Sequence, residues 1–508
     1  MAKFYLTTAI DYSNGDPHLG HALEKVGADC LCRYRRLRGD DVHFLMGMDE
    51  HSQSVIQAAA AAHVAPAVWV EKMAARFADF WRRLECSNDD WIRTTEPRHH
   101  AAVAALLEAI RERSPDDLFQ GEYEGLYCNG CEEFKTEAQM VGGRCIEHPT
   151  LELVPTHERN WFFRLSRYGE RLLALIGSGD LAVEPEIRRN EVVRLIEGGL
   201  QDVSVSRQRL EWGIPFPGDP QQTVYVWFDA LINYLTATGY PEAGYRRLWP
   251  ADVHVIGKGI TRFHCVIWPA MLLAAGIDLP RKVWAHGYVQ WGGAKMSKTA
   301  GTAVSLDTAI ERHGPDALRY FLLREIGFEG DGNFTWDRFD DRYTAVLADG
   351  LGNLASRSLA MLAKYRGGVV PADTTATALD AAATIALARY AAAMDRFDVR
   401  GGADAAGSLV TEANQYIVRT APWTLAKEGK EADLDQALAS LARCLYRLAV
   451  LGAPFLPEKC ALLYQSLGRA GRPEGAHWDS LTNPPVAGDR TNRAPVLFPK
   501  PEPGPPRL

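Results

Sequence analysis

DYSNGDPHLGH, from Asp11 to His21, separates two stretches of different character. Before it, FYLTTAI (Phe4 to Ile10) is β-branched and aromatic enough for a buried strand. After it, ALEKVGADCLCRYRRL reads as a helix that Gly39 would stop. Asp16 is a good N-cap, and Pro17 suits the first helical position because its missing N–H would have no partner there. Strand, turn and helix then bring His18, Gly20 and His21 to a helix mouth. Free backbone N–H groups and the positive end of the helix dipole suit a phosphate there. Two imidazoles three residues apart share a face and can donate to its oxygens. Gly20 leaves room for a flat base or a backbone. A histidine pair at a helix start also occurs as metal ligands or as a surface coincidence, so the rest of the chain must decide.

VHFLMGM (Val42 to Met48) reads as a second buried strand, and it ends in Asp49-Glu50-His51. Helical patterns follow through Arg113. Strands alternating with helices argue for a parallel sheet, whose strand ends hold ligands. Cys128-x2-Cys131 and Cys145-x2-His148 then break the pattern. Their spacing suits a structural, tetrahedral Cys3His zinc holding a small lobe with little core of its own. From Leu151 to Pro220 the chain is mixed, with a helix expected to start at NWFFRLSRYGERLLALI (Asn160 to Ile176). VYVWFDALINYLTA (Val224 to Ala237) restarts the strand-to-helix pattern, and DVHVIGKGITRFH repeats it around a GKG turn. VWAHGYVQWGG reads as a strand pair leading to KMSKT (Lys295 to Thr299), a glycine-bounded loop with two lysines three apart. After Asp337 the alanine- and leucine-rich segments read as an antiparallel helical bundle with an extended, proline-rich tail.

At 508 residues the chain is too long for one core, and two to four domains are expected. No apolar run approaches the ~18 residues of a membrane span, and the N-terminus has no signal-peptide pattern. Nine unevenly spaced cysteines fit metal better than disulfides, and reducing cytoplasm is the expected compartment. The net charge of −8 gives no hint of nucleic acid, though a local basic face remains compatible with it.

HLGH after the first strand and KMSKT far downstream are the paired signatures of the class I aminoacyl-tRNA synthetases, which this chain resembles. VYVWFDALINY, GKGITRFH, WGIPFP, LGNLASR and the Cys3His lobe narrow the resemblance to the methionyl-tRNA synthetases, from YLTTAI to VLFPK. The resemblance implies an α/β architecture: a Rossmann-like parallel-sheet catalytic domain with an inserted zinc-knuckle lobe, then an α-helical bundle that binds the anticodon. Its expected parts are a first catalytic half over 1–115, the insertion over 116–222, a second half over 223–288, the KMSKT loop and stem-contact region over 289–336, and the bundle over 337–508.

The roles it implies follow the motifs. His18 and His21 would contact ATP phosphates and the transferring α-phosphoryl, while Gly20 and Gly257 would lie along the nucleotide. Lys295, Met296, Ser297 and Lys298 would close over ATP, the two lysines neutralising the pyrophosphate. Asp49 and the Ile10 carbonyl would hold the methionine ammonium. Ala9, Tyr12, Trp227, Leu231, Tyr234 and His264 would form the thioether pocket. Asn353, Arg357 and Trp423 would read the anticodon of methionine tRNA, initiator and elongator alike. Cys128, Cys131, Cys145 and His148 would hold one structural Zn²⁺, and Mg²⁺ would accompany ATP.

Several positions depart from the family pattern. Gly259 stands where many members carry an acid that contacts the ATP ribose, leaving that contact to backbone groups. Asp11 replaces Pro or Tyr, Ser52 and Gln53 follow His51 where a glycine is usual, and Thr302 replaces Asn. The chain stops eight residues after VLFPK, without the extra domain of many bacterial members, so a monomer is expected. Two alternatives stay open: a paralogue that activates an amino acid for a non-tRNA acceptor, and a catalytically inactive tRNA-binding protein.

Overall fold

The computed structural model describes residues 2–128, 133–135, 137–146, 149–208, 210–295, 304–492 and 496–500. The strands of the central sheet and the long hairpin of the insertion are, in chain order, β1 (Lys3–Thr8), β2 (Asp11–Tyr12), β3 (Asp41–Asp49), β4 (Asp90–Arg93), β5 (Leu118–Cys128), β6 (Val154–Phe163), β7 (Ala182–Glu184), β8 (Val253–Gly257) and β9 (Lys282–His286). The central sheet runs β7-β9-β8-β1-β3, with β2 and β4 also on β3, and its pairings are parallel. β2 continues the line of β1: β1 pairs with residues 41–45 of β3, and β2 with Met48 and Asp49. The line breaks at Ala9 and Ile10. Strand order reverses at β1, with β3 on one side and β8 on the other. The crevice at the carboxyl ends of these strands is where doubly wound folds bind ligands.

Alternation along β1 builds the two cores. Phe4 and Leu6 face α1 (Leu19–Leu37), while Tyr5 joins the apolar cluster on the opposite face. α2 (Pro66–Arg83) lies on the α1 side, and its Phe77, Phe80 and Trp81 are buried there. The strand before α3 (Val226–Ala230) is antiparallel and belongs to a separate three-stranded sheet, not to the central one.

The segment expected to begin a helix at Asn160 instead completes β6. β5 and β6 pair antiparallel from Leu118↔Phe163 to Tyr127↔Val154, and Trp161 stacks on Phe216. Cross-strand partners outweigh the local helix pattern, and the helix begins only at Gly169.

Beyond the sheet lie β10 (Val289–Trp291), β11 (Ala294–Lys295) and β12 (Gly332–Phe334), with β10 central. The helical region includes α4 (Asn353–Arg366), α5 (Ala378–Asp395), α6 (Val399–Thr420), α7 (Pro422–Lys427) and α8 (Glu431–Gly452). Its core is continuous with the α1 face of the sheet. Arg319, fully buried, donates to Asp29 of α1 and to the Leu84 and Pro454 carbonyls, tying bundle to sheet. The tail packs on the bundle: the Tyr343 hydroxyl donates to the Pro499 carbonyl at 2.8 Å. Among the described residues, no helix is long and apolar enough to cross a membrane.

Candidate active site

A cavity of about 270 Å³ opens at the carboxyl ends of β1, β3, β8 and β9. It collects Ala9, Ile10, Tyr12, His18, Gly20, His21, Asp49, Trp227, Leu231, Tyr234, Gly257 and His264, each singled out from sequence.

At one end, α1 begins at Leu19, not Pro17, and its N-cap is His18, not Asp16. His18 Nδ1 accepts from the Gly20 and His21 N–H groups, and the His18 N–H donates to His21 Nδ1. The amides expected to be free for phosphate at Gly20 and His21 are therefore already engaged. The same bonds leave the proton of each neutral imidazole on Nε2, a donor suited to phosphate oxygen. Asp16 instead pairs with Arg76, which also holds Asp307. A Cβ on Gly20 would come within 3.0 Å of the His18 ring, so glycine also makes room for the cap.

Lys295 ends β11, while Met296, Ser297 and Lys298 lie outside the described residues. Ser305, farther along the chain, bridges to His18 at the mouth of α1.

At the other end of the cavity, Trp227 stacks on Phe263 with ring centres 3.9 Å apart, and Tyr12 meets Trp227 edge-on. A π-helical turn, Phe263–Ile267, carries His264. His264 Nδ1 faces the Ile260 carbonyl at 3.0 Å, so Nε2 accepts from the Tyr234 hydroxyl at 2.7 Å. Burial pushes His264 down to about 4, leaving it neutral near pH 7. Asp49 is 2% exposed. The carbonyl of Asp49 accepts from both the backbone N–H and the hydroxyl of Ser13.

Two buried charge clusters support these walls, and sequence reading missed both. Lys25, with no exposed surface, reaches Asp11 at 2.8 Å, Glu24 at 2.7 Å and the Ala9 carbonyl at 2.6 Å. Glu24 holds His286 at 3.0 Å. Two carboxylates share one ammonium, and burial pushes Asp11 up to about 7 despite Lys25, with Glu24 adding to the rise. Lys25 thus pins the break between β1 and β2 that supplies Ala9, Ile10 and Tyr12. The available signal was a lysine four residues after His21, on the buried face of α1. In the second cluster, Asp229 of α3 bridges His51 at 2.9 Å and His99 at 2.6 Å, anchoring the helix of Trp227 to the turn after Asp49. Burial opposes its charge, but the two histidines hold the carboxyl down at about 2.

Farther away, Asn353 is exposed and Arg357 half-buried on α4. Trp423 of α7 is 46% exposed, large for a tryptophan. Both helices pack on α8. In the insertion, Cys128 and Cys145 are buried, while Val141 and Ile146 beside them are exposed. Buried thiols are donors of the kind that a structural metal takes. Cys131 and His148 lie outside the described residues, and among those described no three ligating side chains cluster.

Residues 4–359 match the family described as "tRNA synthetases class I (M)", and with the parallel sheet and the histidine pair they make this chain a class I aminoacyl-tRNA synthetase. Residues 367–501 match "Anticodon binding domain of methionyl tRNA ligase". The chain is 40% identical to the methionine–tRNA ligase of Streptomyces coelicolor, over 98% of this chain and 96% of that one. It therefore belongs to the methionyl-tRNA synthetase family of methionine–tRNA ligases. It is also 40% identical to the Bacillus subtilis methionine–tRNA ligase, over 94% of this chain and 75% of that protein. Mycobacterium tuberculosis methionyl-tRNA synthetase in complex with methionyl-adenylate matches with a TM-score of 0.92 at 37% identity, covering 98% of this chain and all of that one.

Proposed function

We propose that the cavity activates L-methionine with ATP and that the bundle brings methionine tRNA to the adenylate. The observation that carries this is the continuity of one cavity from the His18–His21 pair to Asp49, Trp227, Tyr234 and His264. Asp49 and the Ile10 carbonyl hold the ammonium, while Ala9, Tyr12, Trp227, Leu231, Tyr234 and His264 enclose the thioether. The methionine carboxylate attacks the α-phosphorus in line and pyrophosphate departs. Catalysis is positioning plus preorganised donors: His18 and His21 through Nε2, and Lys295 and Lys298 on the leaving group, with Met296 and Ser297 in the same loop. Mg²⁺ arrives with ATP, and Gly20 and Gly257 flank the nucleoside. The terminal ribose hydroxyl of tRNA then attacks the carbonyl carbon of the adenylate, the ester forms, and AMP departs.

Asn353, Arg357 and Trp423 read the anticodon of initiator and elongator tRNA, an exposed indole being suited to stack an unpaired base. Cys128, Cys131, Cys145 and His148 hold one structural Zn²⁺, supported by the burial of the Cys128 and Cys145 thiols. The parts divide as 1–115, 116–222, 223–288, 289–336 and 337–508. The enzyme works in the cytoplasm, where ATP and tRNA meet, and as a monomer; light scattering that finds a dimer contradicts this.

Methionine-dependent pyrophosphate exchange and tRNA charging, measured together, test the reading. Both activities are expected. Activation without charging would leave the paralogue, and neither would leave the inactive tRNA-binding protein.

A further inference from the structure

A second cavity, of about 310 Å³, lies where the bundle meets the chain that leads into it, and the roles above leave it without a use. Its walls are two π-helical segments, Phe321–Ile326 and Tyr343–Gly352, with α6, the end of α8 and the turn after it. Such turns gather at functional sites, and the one that carries His264 is an example in this chain. Val346, Leu351, Val410 and Phe455 line the cavity with apolar surface. Gly407, also in the lining, stands in the interior of α6, where glycine weakens a helix. A Cβ there would meet no atom within 4 Å, so packing does not require the glycine; it leaves the volume clear.

Three polar groups of the lining have hydrogen-bonding capacity to spare. Tyr320 is only 9% exposed, and its hydroxyl has no hydrogen bond among the described residues. Arg324 donates through Nε to Asp404 at 2.8 Å and through Nη1 to Glu325 at 2.6 Å. Asp404 accepts through Oδ1. Among the described residues nothing engages Arg324 Nη2 or Asp404 Oδ2.

We propose that this cavity is a second amino-acid site, which takes the zwitterion of a free apolar α-amino acid. Its carboxylate sits on Arg324 Nη2 and the Tyr320 hydroxyl, its ammonium on Asp404, and its side chain in the apolar part. A plain carboxylic acid would meet the charge of Asp404, and a plain amine that of Arg324; a zwitterion satisfies both. The Arg324–Asp404 pair stays intact, because each partner offers its spare atom. The inference does not rest on the role given to the other cavity.

Saturation-transfer NMR tests it on the whole chain, with the other cavity filled by a non-hydrolysable methionyl-adenylate analogue. The probes are L-leucine, 4-methylpentanoate, which lacks the ammonium, and 3-methylbutylamine, which lacks the carboxylate. Leucine is expected to bind with a Kd on the order of 0.1–10 mM, and about tenfold or more tightly than either analogue. Arg324→Met should weaken leucine about 10- to 100-fold, and Tyr320→Phe about two- to tenfold. Gly407→Leu should remove binding by filling the cavity. Amide exchange on the wild type locates the site without any variant: leucine should slow exchange in Tyr343–Gly352 and in α6. No transfer to leucine, equal affinity for leucine and either analogue, or slowing confined to β1 and α1 would each overturn the proposal. Unchanged leucine affinity in Arg324→Met would overturn it too.

Discussion

The rings of His18 and His21 lie stacked, 3.7 Å between centres and 14° from parallel, and each accepts the backbone N–H of the other's residue at Nδ1. This reciprocal cap fixes both tautomers and leaves the proton of each neutral ring on Nε2, a preorganised pair of donors for a developing phosphate charge. His21→Ala is expected to lower kcat for methionine-dependent exchange about 10²–10³-fold. His18→Ala should do the same and also cost roughly 1 kcal/mol of stability, because His18 satisfies two α1 amides. Exchange kinetics and thermal unfolding on the same samples separate the effects. Near-wild-type kcat in both variants would contradict a phosphate role.

Lys25→Met should be severe. It leaves Asp11 and Glu24 buried without their shared cation, and breaking such a cluster costs about 3–5 kcal/mol. Asp11 supplies a pH signature. Its folded value of about 7 lies above its ordinary 3.8, so between these values the folded state holds a proton that the unfolded state has released. Its burial costs least below this window and most above pH 7. The stability lost in Lys25→Met is therefore larger at pH 8 than at pH 5.5, as read by denaturant unfolding. An equal loss at both would show that Asp11 stays charged throughout.

The motifs carried most of the cavity. Asp49, Trp227, Tyr234 and His264 were legible because each stands in a short stretch with its own pattern. The supports were not. Asp229 acquires meaning only from His51 and His99, 178 and 130 residues away, and within VYVWFDALINY it reads as a helix-surface acid. The N-cap was misassigned because Asp16 has the better intrinsic propensity, while a histidine ring facing its own helix won by geometry. At Asn160–Phe163 a helical period lost to pairing with β5, which no local window contains.

Cys128→Ser is expected to reduce zinc from one per chain to none, by elemental analysis of the purified protein, and to loosen the insertion, read as faster amide exchange in β5 and β6. One zinc per chain in the variant would remove Cys128 from the ligand set.

Trp423→Ala should separate the two half-reactions. Loss of one stacked base is worth roughly 1–3 kcal/mol, so kcat/KM for charging should fall about 5- to 150-fold. Exchange without tRNA should stay at the wild-type rate, since Trp423 is not among the cavity's lining residues. Equal loss in both assays would make Trp423 a packing residue.

The most direct measurement is pyrophosphate exchange into ATP, without tRNA, run with each of the twenty amino acids in turn. Exchange with methionine alone is the predicted result, since the edge-on aromatics and the neutral Tyr234–His264 pair suit a thioether and Asp49 an ammonium. Exchange driven by another amino acid, or by none, would contradict the account of the cavity.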